Sequence, residues 1–192
     1  PRPPPGRRGR RRRAAGGTGP APGRPATTGA AAPPAAAGRR AGVVGHTPLH
    51  RSPRLSALTG LDVWLKREDL QDVRSYKARG AYNLISQLSD AERAAGVTCA
   101  SAGNHAQGVA FACSRTGVRA RIHLPRTTPR QKRERIVALG GAFVDVVVDG
   151  DTYDDAAALS HTYALASGAT PVPAFDDVRT IAGQGTVAAE LL

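Results

Sequence analysis

The stretch VTCASAGNHAQG, residues 97–108, combines a strand, a turn and the start of a helix. Its first four residues have the apolar and β-branched character of a strand. Residues 101–105 are small or amide-bearing except for the last, and a helix follows from about Asn104 to Thr116. Backbone N–H groups at such a turn can approach a ligand closely, and the helix N-terminus adds positive potential. The turn is therefore a candidate site for a carboxylate or a phosphate, although a tight turn with Asn104 as the helix cap is the more common origin of such a pattern.

The alternation of strand and helix continues on both sides of this stretch. It predicts an α/β fold with a parallel sheet of strand–helix units, which binds ligands beyond the carboxyl ends of its strands. The turn at 101–105 lies at such an end. The other predicted strands are 63–66, 118–124, 142–148 and 170–173. The other predicted helices include 77–88, 180–192 and a short helix that begins at the capping box 89–92. Two more helices are predicted, one with Thr128 as its cap and its end at Gly140, and one with Asp151 as its cap and its end near Gly168.

The positive charge of the chain is concentrated at its beginning. The formal net charge is +12, but residues 1–43 hold ten arginines and no acid, whereas residues 44–192 hold 17 basic and 15 acidic side chains. Residues 1–43 also lack aromatic and nearly all large apolar side chains, so they cannot bury enough surface to offset the entropy of ordering. We predict a disordered Arg/Pro/Gly-rich leader over 1–43 and a folded unit over 44–192.

A lysine stands where the helix 77–88 begins, in the stretch SYKARGAYN, residues 75–83. A cation is unfavourable at a helix N-terminus, because the macrodipole is positive there. Lys77 is therefore either an ordinary solvated cation or an amine that a ligand holds in another state, as an aldehyde cofactor would. The pattern of residues alone leaves both explanations open.

Several longer motifs carry a family resemblance. The chain resembles the fold-type II pyridoxal-phosphate enzymes (the tryptophan synthase β-like group), and within them the threonine and serine dehydratases. The match extends over 44–192 without evident gaps. The motifs that carry it are KREDLQDVRSYKARGAYN at 66–83, SAGNHAQGVA at 101–110, TPL at 47–49, TPRQKRERI at 128–136, TYDDA at 152–156 and FDDVRTIAGQGT at 175–186.

The resemblance implies a role for each matching residue. Lys77 corresponds to the lysine that forms the Schiff base with the cofactor and then takes the α-proton, and it is the expected catalytic residue. Tyr76 corresponds to a side chain that lies against the cofactor ring, and Asn104 to the asparagine that binds the ring hydroxyl and borders the substrate. The resemblance also implies that Arg79 pairs with an acid, and that the substrate carboxylate is bound, largely by backbone N–H groups, at Ser101, Ala102, Gly103, Asn104 and His105.

The implied activity is the dehydration and deamination of L-threonine, or of L-serine, to 2-oxobutanoate or pyruvate and ammonia, with pyridoxal 5'-phosphate as cofactor. A serine dehydratase or serine racemase of the same fold is the first alternative. Racemases have a second serine where this chain has Ala102, which favours a dehydratase. A non-catalytic protein that binds nucleic acid through the basic run 7–13 is the second alternative, but the nearly neutral body opposes it.

The family's glycine-rich phosphate loop is expected beyond the motif at 175–186, so the sequence is interpreted as the N-terminal portion of a catalytic domain.

Cys99 and Cys113 lack partners at metal-ligand or redox spacing, so reduced, buried thiols and no metal site are expected. No stretch has the length and apolarity of a membrane span. We expect a cytoplasmic enzyme with an amino-acid substrate, no specific nucleic-acid partner and a homo-oligomeric full-length form. The basic residues between Arg126 and Arg135 are interpreted as a solvated helix face.

Overall fold

The computed structural model describes residues 33–192. A four-stranded sheet with strand order β5-β4-β3-β6 forms its centre, and all neighbouring strands are parallel. Strands β1 and β2 pair with each other in an antiparallel manner outside this sheet. The strands are β1 (Leu49–Arg51), β2 (Trp64–Lys66), β3 (Val97–Ala100), β4 (Ala120–Leu124), β5 (Val144–Val148) and β6 (Thr170–Pro171). The helices are α1 (Pro33–Arg40), α2 (Pro53–Thr59), α3 (Lys77–Ile85), α4 (Asp90–Ala95), α5 (Asn104–Thr116), α6 (Arg130–Gly140), α7 (Tyr153–Ser167) and α8 (Val178–Ala189).

Helices cover both faces of the parallel sheet. On one face, apolar side chains of β3 and β4 pack against α5 and α6 in a single core cluster that includes Cys99, Ile122 and Ile136. On the other face α7 lies against β3 and β4, where the Thr98 hydroxyl meets the Ser160 hydroxyl at 3.0 Å. Because side chains alternate along a strand, neighbouring residues of β3 serve opposite faces. The predicted α/β class and parallel sheet are confirmed.

Part of the segment predicted to be disordered is a helix. Residues 1–32 of the predicted disordered segment lie outside the described residues, but residues 33–40 form α1, which packs on α8 and buries Ala36 completely. Arg40 ion-pairs with Glu190, and the Arg39 guanidinium donates to Asn83 at 2.7 Å. Composition averaged over 43 residues hid this helix, because its order depends on side chains contributed by α3 and the end of α8.

Two predicted helix caps are wrong by one residue. The helix assigned to Thr128 begins at Arg130, because Pro129 is extended (ψ 141°), and the buried Thr128 hydroxyl is left without a partner among residues 33–192. The cap of α7 is Thr152 and not Asp151. Thr152 accepts a hydrogen bond from the Asp155 amide while the Asp155 carboxylate accepts one from the Thr152 amide. That reciprocal arrangement requires an acid three residues after the cap, which fixes the start of the helix.

Candidate active site

Lys77 is the first residue of α3, as predicted. Tyr76 precedes it in the cap position without a capping side chain, and the Lys77 ammonium lies 5.2 Å from the centroid of the Tyr76 ring. The Lys77 amine donates a hydrogen bond of 2.8 Å to the Ala174 carbonyl. It takes part in none of the ion pairs formed within residues 33–192. A half-buried lysine amine whose hydrogen-bond acceptor is an uncharged carbonyl can exchange that bond for a ligand without breaking a salt bridge.

Lys77 lines a cavity of about 420 Å³ between α3 and α8. Gln184 lies on its wall, donates weakly to the Ala174 carbonyl at 3.4 Å, and has its own side-chain oxygen buried with no partner in the described chain. That oxygen is enclosed by protein atoms, so the Gln184 side chain borders the cavity without offering it an open acceptor. The lining residues are Tyr76, Lys77, Ala174, Phe175, Ile181, Gln184 and Gly185.

The turn at 101–105 follows β3 at the carboxyl edge of the sheet, as predicted. The Ser101 amide donates to the His123 carbonyl at 3.2 Å, and the Gly103 amide donates to the Ser101 hydroxyl at 3.2 Å. No heavy atom lies within 4 Å of the position that a Cβ on Gly103 would take, so the space beside the turn is open. Asn104 is exposed at the first position of α5, whose first amides lack acceptors inside the helix. This turn can bind an anion through backbone donors.

His105 is the predicted turn residue whose side chain is turned inward. Its imidazole is buried, and Nε2 lies 2.7 Å from the Val172 carbonyl. Burial lowers the pKa of His105 to about 4, and the nearby Lys77 charge acts in the same direction. The His105 side chain is therefore neutral and points into the protein. Only the backbone amide of His105 remains available to bind a ligand at the turn.

Close helix packing brings the turn and the lysine into one region. A Cβ on Gly108, one helical turn beyond the start of α5, would lie 2.9 Å from the carbonyl carbon and oxygen of Lys77. Glycine at this position lets α5 lie directly against the start of α3. None of the residues 101–105 contributes to the lining of the cavity at Lys77, so the two parts of the predicted site are adjacent but separate.

Arg79 pairs with acids, as the resemblance implied, and both acids escaped the sequence analysis. Its completely buried guanidinium binds Glu68 at 2.6 Å and Glu190 at 2.6 Å. Glu190 also binds Lys66 at 2.5 Å and ion-pairs with Arg40. These five residues form a charged cluster behind the first turn of α3. Glu68 lies within the motif at 66–83 and could have been suspected, but nothing local to Glu190 indicates its partners.

Two further predictions concern the cysteines and the basic helix. Cys99 and Cys113 are free and buried, and burial raises the pKa of Cys99 to about 12, so both are unreactive thiols. Residues 33–192 contain no group of side chains that could hold a metal ion, and none of their helices is long and apolar enough to cross a membrane. Arg126 and Arg130 form exposed surface ion pairs, as a solvated face would. The prediction is wrong for Arg135, which is half-buried and donates to the Gln107 side chain at 2.9 Å and to the Asp72 carbonyl at 2.8 Å.

These features fit the aldehyde and the flat ring of a pyridine cofactor. Lys77 supplies an amine that no acid within residues 33–192 pairs with, and the Tyr76 ring and the apolar wall supply a surface for a flat ring. The open space beside Gly103 leaves room for a group bound to the turn. Lys77 and Tyr76 border the cavity, whereas the exposed Asn104 lies outside its lining.

Comparison with known proteins agrees with this geometry. The chain is 62% identical over 154 residues to the "L-threonine dehydratase biosynthetic IlvA" of Mycobacterium tuberculosis, which covers 80% of this chain and 36% of that protein. The corresponding protein of Corynebacterium glutamicum is 54% identical over 154 residues, covering 80% of this chain and 35% of that protein. The chain thus spans about a third of the length of these curated relatives.

Solved structures with the same fold include a threonine deaminase and a serine racemase. The processed form of threonine deaminase isoform 2 from Solanum lycopersicum is 45% identical, with a TM-score of 0.73 over 78% of this chain and 40% of that one. Maize serine racemase is 33% identical, with a TM-score of 0.78 over 83% of this chain and 48% of that one. The family model described as "Pyridoxal-phosphate dependent enzyme" matches residues 41–192. With four-fifths of its length inside that match, the chain belongs to the pyridoxal-phosphate dependent enzymes.

Proposed function

We propose that this chain carries the lysine-bearing portion of a biosynthetic L-threonine dehydratase, which converts L-threonine to 2-oxobutanoate and ammonia. The observation that carries the proposal is the position of Lys77. It is the first residue of α3, it lines a cavity, and its amine donates to an uncharged carbonyl. The relatives with 54% to 62% identity are named threonine dehydratases, whereas the serine racemase is 33% identical. These values favour the dehydratase over the racemase.

The chain's own residues divide the work by position. Pyridoxal phosphate, when bound, supplies an electron sink for the bonds at the substrate's Cα. We assign to the Lys77 amine the binding of the cofactor aldehyde and the transfer of the α-proton. Ala174 holds that amine through its carbonyl, and Tyr76 borders the space beside it.

The turn 101–105 is assigned to the amino-acid substrate. Its open space at Gly103 and the free amides at the start of α5 support binding of the α-carboxylate, which is the one anionic group that every amino-acid substrate shares. The exposed amide of Asn104 is assigned to the cofactor ring. Ser101 and Ala102 shape the turn, and the Ser101 hydroxyl accepts from the Gly103 amide.

The further assignments concern the whole protein. We assign it to the cytoplasm, which the two buried free thiols and the biosynthetic names of the relatives support. We also assign a homo-oligomeric form to the full-length protein. Exposed Leu58, Leu61 and Leu165, each about 70% accessible, supply apolar surface that association would bury. Sedimentation analysis of the full-length protein tests that assignment.

Borohydride trapping tests the assignment of Lys77. The chain contains three lysines, Lys66, Lys77 and Lys132, so each can be followed separately. After incubation with pyridoxal phosphate and reduction, peptide mapping is expected to find the pyridoxyl group mainly on Lys77. Lys66 is buried in the charged cluster and Lys132 is an exposed lysine away from the cavity. Equal labelling of Lys77 and Lys132 would show that the cavity has no affinity for the cofactor.

A chimaera tests the activity. Residues 41–192 replace the matching segment of the Mycobacterium relative, and formation of 2-oxobutanoate from L-threonine is measured. We expect turnover that Lys77→Ala reduces by several orders of magnitude, because both the covalent link and the base are lost. Lys132→Ala is the matched control and should leave turnover unchanged. A chimaera that folds and binds the cofactor but leaves L-threonine intact would contradict the proposed function.

A further inference from the structure

A short segment after β6 connects the two separate parts of the candidate site. The backbone of Val172 is held at both ends: its amide donates to the Thr98 carbonyl at 2.9 Å, and its carbonyl accepts from His105 Nε2 at 2.7 Å. Thr98 belongs to β3 and His105 to the turn that follows β3. Val172 is therefore attached to the turn region from two directions.

Two residues later, the same segment meets the lysine. The Ala174 carbonyl accepts from the Lys77 amine at 2.8 Å and from the Gln184 amide at 3.4 Å. Only Pro173 separates the two residues, and its ring fixes one of the backbone dihedrals between them. The Pro173 carbonyl accepts from the Thr180 hydroxyl at 3.3 Å. A stiff three-residue segment thus carries a bond to His105 at one end and a bond to Lys77 at the other.

The state of the imidazole follows from its surroundings. Burial lowers the pKa of His105 to about 4, so the ring is neutral near pH 7. A carbonyl can only accept a hydrogen bond, so the single ring proton must be on Nε2. The Nδ1 atom is buried and has no partner among residues 33–192. The hydrogen-bonding capacity that the His105 side chain uses is therefore directed entirely at Val172.

We propose that His105 is a positioning residue: by donating Nε2–H to the Val172 carbonyl, it holds segment 172–174 and thereby sets the place of the Ala174 carbonyl that receives the Lys77 amine. The importance of that amine rests on the proposed function. This role is distinct from binding of the substrate carboxylate by the backbone of the turn, because it belongs to the side chain and acts through Ala174.

A pair of substitutions separates the two ring nitrogens. In His105→Gln the side-chain amide nitrogen reaches the position of Nε2, and in His105→Asn it reaches only the position of Nδ1. The readout is the rate at which a pulse of an acylating reagent modifies Lys77, relative to exposed Lys132, in the chain without cofactor. Loss of one hydrogen bond predicts about a fivefold faster modification of Lys77 in His105→Asn. In His105→Gln the rate of Lys77 modification should stay within about twofold of the rate in the chain without a substitution.

Lys66 reports whether a variant is still folded, because its amine is buried against Glu190. Faster acylation of Lys77 alone in His105→Asn supports the proposal. Equal rates of Lys77 acylation in His105→Asn, His105→Gln and the chain without a substitution would overturn it. If Lys66 also becomes reactive, the variant has unfolded. The test is then ¹⁵N NMR of the imidazoles in the chain without a substitution. His105 should show the Nε2–H tautomer without titration between about pH 5 and 8. A proton on Nδ1, or a normal titration, would refute the proposal.

The experiment contains neither cofactor nor substrate, so its result is independent of the trapping experiment above. A chain that fails to take up pyridoxal phosphate could still show the His105 effect on Lys77. Conversely, trapping at Lys77 with identical reactivity in both His105 variants would retain the proposed function and reject the positioning role.

Discussion

Replacement of Glu190 by glutamine should destabilise the folded chain far more than the loss of an exposed charge. The Glu190 carboxylate is 5% exposed and binds the guanidinium of Arg79, the amine of Lys66 and the guanidinium of Arg40. Glutamine keeps the size of the side chain but removes the charge. Within residues 33–192, Lys66 and Arg40 then lose their ion-pair partner, and Arg79 keeps only Glu68. Removing one partner of a buried ion pair leaves its charge uncompensated, which is far more costly than losing an exposed pair.

The pKa of Glu190 provides the magnitude. Burial alone would raise that pKa, but hydrogen bonds from Arg79 and Lys66 outweigh it and lower the pKa from 4.5 to about 2. This difference corresponds to about 3 kcal/mol of folding free energy at neutral pH. Because the folded-state pKa lies below the unfolded-state value, the stabilisation is present above about pH 5 and is lost as the pH falls toward about 2. The cost of Glu190→Gln should shrink over the same range.

Urea denaturation of both chains at a series of pH values measures the effect, with the slope against urea as a check on two-state behaviour. Glu134→Gln is the matched control, because it removes an equally direct but exposed pairing with Arg130. It should cost less than about 0.5 kcal/mol. A loss below about 1 kcal/mol for Glu190→Gln, or a loss that does not change between about pH 7 and pH 3, would refute the reasoning.

Two further predictions concern packing and capping. Gly183→Ala should lower the free energy of unfolding by about 1–3 kcal/mol, because its Cβ would lie 2.4 Å from the Arg79 carbonyl oxygen. Gly103→Ala, whose Cβ meets no atom within 4 Å, should change it by less than about 0.5 kcal/mol, and similar losses for both would contradict the observed crossing of α3 and α8. Thr152→Ala should cost about 1 kcal/mol through loss of the cap, whereas Asp151→Ala should cost less than about half of that. Thermal melts that ranked the last two in the opposite order would restore Asp151 as the cap.

Features that depend on neighbours within a few residues were predictable. The alternation of strand and helix, the capping box at residues 89–92 and the start of α3 at Lys77 follow from local patterns, and each is confirmed. The errors have the same origin. Pro129 delayed a helix by one residue, and the reciprocal bonds of Thr152 and Asp155 decided between two adjacent candidates for one cap. Such boundaries depend on backbone angles that composition does not specify.

By itself, the sequence determined the α/β class, the place of the turn 101–105 at the end of a strand, and Lys77 as the residue that stands out chemically. Only the tertiary structure decided which groups these residues meet. The partner of Lys77 is 97 residues away, that of His105 is 67 residues away, and one acid of Arg79 is 111 residues away. A hydrogen bond requires its two atoms to be close in space, and packing of α3, α5 and α8 sets that closeness. No local pattern in the chain records the result.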